Sequence, residues 1–134
     1  MVAMSKTTAF FHAWGPSLVL MGVIFAFSSI PSQEMPNFGI WDFLVKKGGH
    51  ASGYALLALA NLYALKDRAG ARPYAWAWLV AVLYAATDEF HQSFVPGRHP
   101  AVTDVGIDGV GALIGLALAA WYRVARKRAG QPQA

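Results

Sequence analysis

Pro73-Tyr-Ala-Trp-Ala-Trp-Leu-Val-Ala-Val-Leu-Tyr-Ala-Ala-Thr-Asp88-Glu89-Phe90 decides the fold. The run is apolar almost throughout and about as long as a helix that crosses a 30 Å hydrocarbon core. It then ends on two adjacent carboxylates and continues as His91-Gln92-Ser93-Phe94-Val95-Pro96-Gly97-Arg98. Carboxylates, a histidine and an amide are costly at the end of a membrane helix. They line a site there rather than face lipid.

Three further blocks of similar size accompany this one, at about 13–30, 49–65 and 105–122. The chain of 134 residues is 56% hydrophobic and 13% charged, about half the charge of an ordinary soluble domain. The mean hydropathy is +0.38. The blocks lack the polar stripe that each helix of a soluble bundle carries, which sets that alternative aside. The expected fold is therefore all-α: a polytopic membrane protein with four transmembrane helices in a compact bundle, forming one domain over residues 1–134. Lys6 and Ala26-Phe27-Ser28 give the first block the outline of a secretory signal. Its apolar run from Gly15 to Ile30 is long for a signal core, and it is read as a retained span. The chain has no cysteine, so disulfides and thiolate metal sites are excluded.

Between the blocks, Pro31 to Gly39 is a turn-rich break. Ile40-Trp-Asp-Phe-Leu-Val-Lys46-Lys47 is short and amphipathic and reads as a separate helix in the outer interface, ending before Gly48-Gly49. Tyr74, Trp76 and Trp78 form an aromatic belt, and Val95-Pro96-Gly97 is a turn. Gly111 and Gly115 are four apart, the spacing that lets helices approach closely in lipid, here inside the bundle.

With four spans, both termini and the loop near 66–72 lie on one side. That side holds Lys6, Lys66, Arg68, Arg72, Arg123, Arg126, Lys127 and Arg128, whereas the other holds only Lys46, Lys47 and Arg98. The positive-inside rule places both termini in the cytoplasm. The basic tail from Arg123 reads as a topology anchor and anionic-lipid contact. No base-reading module accompanies it, so no nucleic-acid partner is expected. Six of the seven acids lie at the opposite, extracytoplasmic side, Asp67 being the exception. The rule constrains cations, so this second asymmetry needs its own cause, and a functional site is the simplest.

Helical spacing gathers that site. His50 and Tyr54 are i, i+4; Asp88 with His91 and Gln92 are i, i+3, i+4; Asp104 and Asp108 are i, i+4. All three helix ends face the same compartment, with Arg98 in the loop between the last two. Asp88, Glu89, His50, Asp104 and Asp108 are the catalytic candidates. Tyr54, His91, Gln92, Arg98 and Lys47 are the substrate-binding candidates. Asp88 and Glu89 point about 100° apart on a helix, and spacing leaves open which one faces the pocket. Asp104 also reads as a helix cap, Arg98 as its partner in the loop, and His99 as exposed. Carboxylates with one or two histidines suit Mg²⁺, Mn²⁺ or Ca²⁺, so the cofactor stays unassigned. Arg98, Lys46 and Lys47 suit the phosphate or carboxylate of an amphiphile. These residues allow an enzyme without demanding one.

Lys47-Gly-Gly-His50-x-x-x-Tyr54, then Asp88-Glu89-x-x-Gln92-x-x-x-Pro96-Gly97-Arg98, then Asp104-x-x-x-Asp108-x-x-Gly111 follow in this order. The combination resembles the VanZ-like family of small bacterial membrane proteins. The resemblance implies four spans and kinship with the accessory protein that raises resistance to teicoplanin. It also implies that the family's characteristic polar positions fall on His50, Tyr54, Asp88, Glu89, Gln92, Arg98, Asp104 and Asp108. The implied partners are the bilayer and a lipid-linked or glycopeptide ligand. The cost of placing Asp88, Glu89, His50 and Asp108 near lipid points to binding or modifying an envelope amphiphile at the outer face; the alternative is a scaffold whose polar cluster stabilises the bundle.

Overall fold

In a computed structural model the chain forms four long helices: α1 (Lys6–Ser28), α2 (Asp42–Leu65), α3 (Pro73–Gln92) and α4 (Val102–Ala129). The structure describes residues 5–67, 69–70 and 72–130, and no strand occurs among them. Arg68, counted above with the cations, and residues 131–134 of the basic tail lie outside the described residues.

Local chemistry sets most of the helix ends. Ser5 caps α1 by accepting from the Thr8 N–H at 3.1 Å. Pro73 opens α3, where its missing N–H costs nothing. α4 closes with Arg126, Lys127 and Arg128 in its last turn, favourable at the negative end of the helix. Two boundaries differ from the sequence reading. The segment 40–47 is not a separate interfacial helix. After one 3₁₀ turn at Gly39–Trp41 it is the beginning of α2, which runs unbroken through Gly48-Gly49. Ion pairs at Lys46 and Lys47 brace that first stretch just before the two glycines, each of which costs a helix roughly 1 kcal/mol. α4 begins three residues earlier than expected, at Val102, and runs on through the basic stretch.

α2 is the central element and packs against α1, α3 and α4, most extensively along α4. There Gly111 and Gly115 press against the backbone of Ala51 and Ala55: a Cβ on Gly111 would lie 2.3 Å from the Ala51 carbonyl oxygen. The glycine pair thus serves packing inside the bundle. Side-chain bonds add to it: Trp78 Nε1 donates to the Gly109 carbonyl (3.0 Å), and the Tyr84 hydroxyl donates to the Met21 carbonyl (2.6 Å).

The packing is inside out relative to a soluble protein. Ala58, Ala77, Ala81 and Ala112 form one core cluster with Leu116. Large side chains such as Val19 (67% exposed), Phe27 (61%) and Trp121 (69%) face outward. Small residues inside and large apolar ones outside is the arrangement expected where the surroundings are lipid. α1 and α4 are long and apolar enough to cross a membrane. On α2, Tyr54 and Asn61 are fully buried.

Candidate functional site

At one end of the bundle the C-termini of α1 and α3 meet the N-termini of α2 and α4 around a cavity of about 190 Å³. α2 contributes Lys47 and His50 to its lining, and α3 contributes Glu89 and Gln92. α4 contributes Asp104 and Asp108, and the loop before it contributes Arg98. These seven were picked out in the sequence. The other three lie elsewhere. Asp88 and Tyr54 sit beneath the cavity, buried between helices. His91 turns toward α1, where its ring stacks on Phe25 with centroids 4.3 Å apart and its Nε2 meets the Ser29 hydroxyl at 3.0 Å.

The floor is built on Asp88. Its Oδ2 accepts from the Ser28 hydroxyl at 2.7 Å and from Gln92 Nε2 at 3.2 Å. Gln92 therefore joins the floor to the cavity above. Asp88 Oδ1 and the Tyr54 hydroxyl are buried without a hydrogen-bond partner among the described residues.

The walls are cross-braced. Lys47 of α2 pairs with Asp104 of α4. One turn deeper, His50 Nδ1 lies 3.7 Å from Asp108 Oδ2. Asp104 makes no capping bond to its helix. It faces α2 instead, so the pairing with Lys47 replaces both the cap and the expected pairing with Arg98. At the rim, Lys46 bonds Asp42 one turn before it at 2.8 Å. That bond, and next the Phe38 N–H at 3.2 Å, hold the Asp42 carboxyl below the usual aspartate range.

Arg98 closes the structure over the cavity. Its Nε donates to the Ile30 carbonyl just past α1 at 3.2 Å, and its Nη2 donates at 3.1 Å to the Phe27 carbonyl in the last turn of α1, which also accepts from the Ile30 N–H. Ser32 binds the same loop from the other side, donating its hydroxyl to the Gly97 carbonyl at 2.6 Å. Gly97 has φ +73°, and a Cβ there would lie 3.0–3.2 Å from the Gln33 amide and the Ser32 Cβ, so the turn favours glycine. Glu89 accepts from the Ala101 N–H at 2.7 Å, fixing the approach to α4.

Four participants were not singled out by sequence as site residues: Ser28 in the floor and Ser32, Gly97 and His99 in the lining. Lys46, read in the sequence as a cation for a phosphate or carboxylate, also lines the cavity. The paired Ser28-Ser29 at the end of an apolar run was the only hint of the first. Among the described residues no group of three or more His, Asp or Glu converges to hold a metal ion. The acids are drawn apart: Asp104 to Lys47, Asp108 to His50, Glu89 to a backbone N–H.

An apolar groove runs down the outside between α3 and α4, lined by Trp78, Val82, Val105, Gly109 and Leu113. It begins at Val102, the neighbour of Ala101, whose N–H holds Glu89.

A family model, VanZ/LLP1, matches residues 5–123, covering all four helices up to the basic end of α4. The chain belongs to the VanZ/LLP1 family. It is a VanZ-like membrane protein, with apolar helices and an outward apolar surface to match. No curated protein and no solved structure matches it.

Proposed function

We propose that this VanZ-like protein crosses the bacterial inner membrane four times, with both termini in the cytoplasm, and binds or modifies the polar head of an envelope amphiphile at its outer face. The observation that carries the reading is the charged cavity at the end opposite the basic one, with the mouth of an apolar groove beside it. A polar head in the cavity and an acyl chain along the α3–α4 groove would meet matching surfaces. Inward-turned Tyr54 and Asn61 explain how α2 sits in lipid despite its polar content. The seven described cations at the opposite end support the orientation.

The size of the cavity bears on teicoplanin. About 190 Å³ is below the roughly 300–1,000 Å³ of sites that enclose drug-sized ligands. A glycopeptide does not fit inside. We therefore read any teicoplanin tolerance as a consequence of altered envelope chemistry.

A second reading has its own support. Lys47, Asp104, Arg98, Ser28 and Asp88 already have partners within the protein, as the parts of a scaffold would. The two readings separate on Glu89→Gln, which keeps the acceptor for the Ala101 N–H. Envelope lipids and cell-wall precursors are profiled by mass spectrometry in a deletion strain carrying wild type or the variant at matched protein levels. A species that changes with wild type and not with Glu89→Gln supports action on an amphiphile. Identical profiles, with a lower melting temperature of the variant in detergent, support the scaffold.

A further inference from the structure

We propose that the head taken by the cavity is a zwitterion of a phosphate and a primary amine, as carried by phosphatidylethanolamine. This rests on the amphiphile reading above and names its ligand.

Lys46, Lys47 and Arg98 face Glu89, Asp104 and Asp108 across the cavity, so the formal charges of its ionic lining cancel. A net anion or a net cation gains little from such a site. The signs are nevertheless segregated. The cations come from α2 and the loop after α3, the acids from the end of α3 and the start of α4. A head with one charge of each sign can satisfy both walls.

The groups left over by the internal bracing define two poles. Lys47 and Asp104 engage each other. Arg98 uses Nε and Nη2 on backbone carbonyls, and its Nη1 has no partner among the described residues. With Lys46, whose ammonium gives one N–H to Asp42 and keeps two, it forms the pole for phosphate, which guanidinium and ammonium groups bind by charge-assisted hydrogen bonds. Glu89 uses Oε1 on the Ala101 N–H, leaving Oε2 for an incoming donor, with Asp108 deeper in the cavity. These carboxylates form the pole for an ammonium that still carries N–H hydrogens. A quaternary ammonium has none and is recognised by aromatic faces. No Trp, Tyr or Phe lines this cavity, so the site selects ethanolamine over choline. The small volume admits such a head and excludes a sugar-peptide.

The test uses the full chain in vesicles of equal parts phosphatidylethanolamine, phosphatidylcholine and phosphatidylglycerol, with retained lipid read by native mass spectrometry. Phosphatidylethanolamine should be retained about tenfold over either competitor, the discrimination expected when a good polar contact is made or lost. Glu89→Gln and Lys46→Met should each abolish that preference, with melting temperatures in detergent as the check on folding. If Lys46→Met fails to fold, Glu89→Gln alone decides. Preference for phosphatidylglycerol, or equal retention of the ethanolamine and choline lipids with a selectivity that Glu89→Gln still alters, overturns the zwitterion and leaves the amphiphile reading standing. Equal retention of all three lipids, unchanged by both variants, overturns both. Thermal stabilisation by free phosphoethanolamine without any lipid preference overturns the lipid as the source of the head.

Discussion

Ser28, at the last turn of α1, donates its hydroxyl hydrogen to Asp88 Oδ2 on α3 at 2.7 Å, across 60 residues of sequence and with both side chains buried. The bond ties the most peripheral helix to the floor of the cavity. Ser28→Ala leaves the Asp88 Oδ2 with the Gln92 amide as its remaining donor among the described residues. Loss of a hydrogen bond to a buried carboxyl costs about 1–3 kcal/mol, so the variant should melt several degrees lower in detergent. Ser93→Ala is the control. Ser93 donates to the Phe90 carbonyl three residues before it, at an exposed position, and its loss should move stability by no more than about 0.5 kcal/mol.

Gly111 and Gly106 lie on the same helix and predict opposite outcomes. A Cβ at Gly111 would fall 2.3 Å from the Ala51 carbonyl oxygen and 2.7 Å from the Ala51 Cα. Both are backbone atoms that cannot step aside, so Gly111→Ala must push α4 off α2. Overpacking of this kind costs about 1–3 kcal/mol or more, and it would open the wall that Lys47 and Asp104 brace. A Cβ at Gly106 meets nothing within 4 Å, and Gly106→Ala should be tolerated. Yield of monodisperse protein in detergent separates the two. Equal yields would mean that α2 and α4 are not in contact at Gly111.

Much of this was legible because length and apolarity alone identify the four helices, and i, i+4 spacing gathers His50, Gln92, Asp104 and Asp108 at one end. The rotation of each helix about its axis was not legible. Asp88 and Glu89 are neighbours in sequence, yet the structure sends Asp88 inward to Ser28 and Glu89 to the cavity and the Ala101 N–H. His91 has the right spacing for the site but turns to Phe25 because α1 covers that side of α3. Spacing within one helix cannot report where the neighbouring helix lies. The start of α2 was missed for a related reason. Gly48-Gly49 reads as a break, and the contacts that carry the helix through it include the pairing of Lys47 with Asp104, which is distant in sequence.

Asp42 gives the outer end of α2 a pH dependence with a definite sign. Its carboxyl lies below the ordinary value of 3.8, held there first by the bond from Lys46 and then by the Phe38 N–H. A carboxylate depressed in the folded state adds stability above its unfolded pKa and loses it as pH falls through the folded value. The first turn of α2 should therefore hold from neutral pH down to about 4 and loosen below that. Hydrogen exchange at residues 42–47 reads this directly. Asp42→Asn should loosen the turn already at neutral pH and flatten its response to acid. A wild-type turn that tightens on acidification would contradict the assignment.

Arg98 predicts a case in which keeping the charge does not keep the function. Its planar guanidinium reaches the Ile30 carbonyl through Nε and the Phe27 carbonyl through Nη2. A lysine presents a single ammonium and cannot reproduce that fork. Arg98→Lys should release the loop at 96–98 from the end of α1, and only the bonds from Ser32 to Pro96 and Gly97 would still hold it. Faster hydrogen exchange should then be confined to residues 95–101 and 27–32, while the α2–α4 contact at Gly111 keeps its protection. The expected loss is about 1–3 kcal/mol for two backbone acceptors stripped of a charged donor. Uniform exchange across the chain, equal to wild type, would show that the loop is held without Arg98. Cooperative loss of protection in all four helices would instead make this clamp part of the folding core.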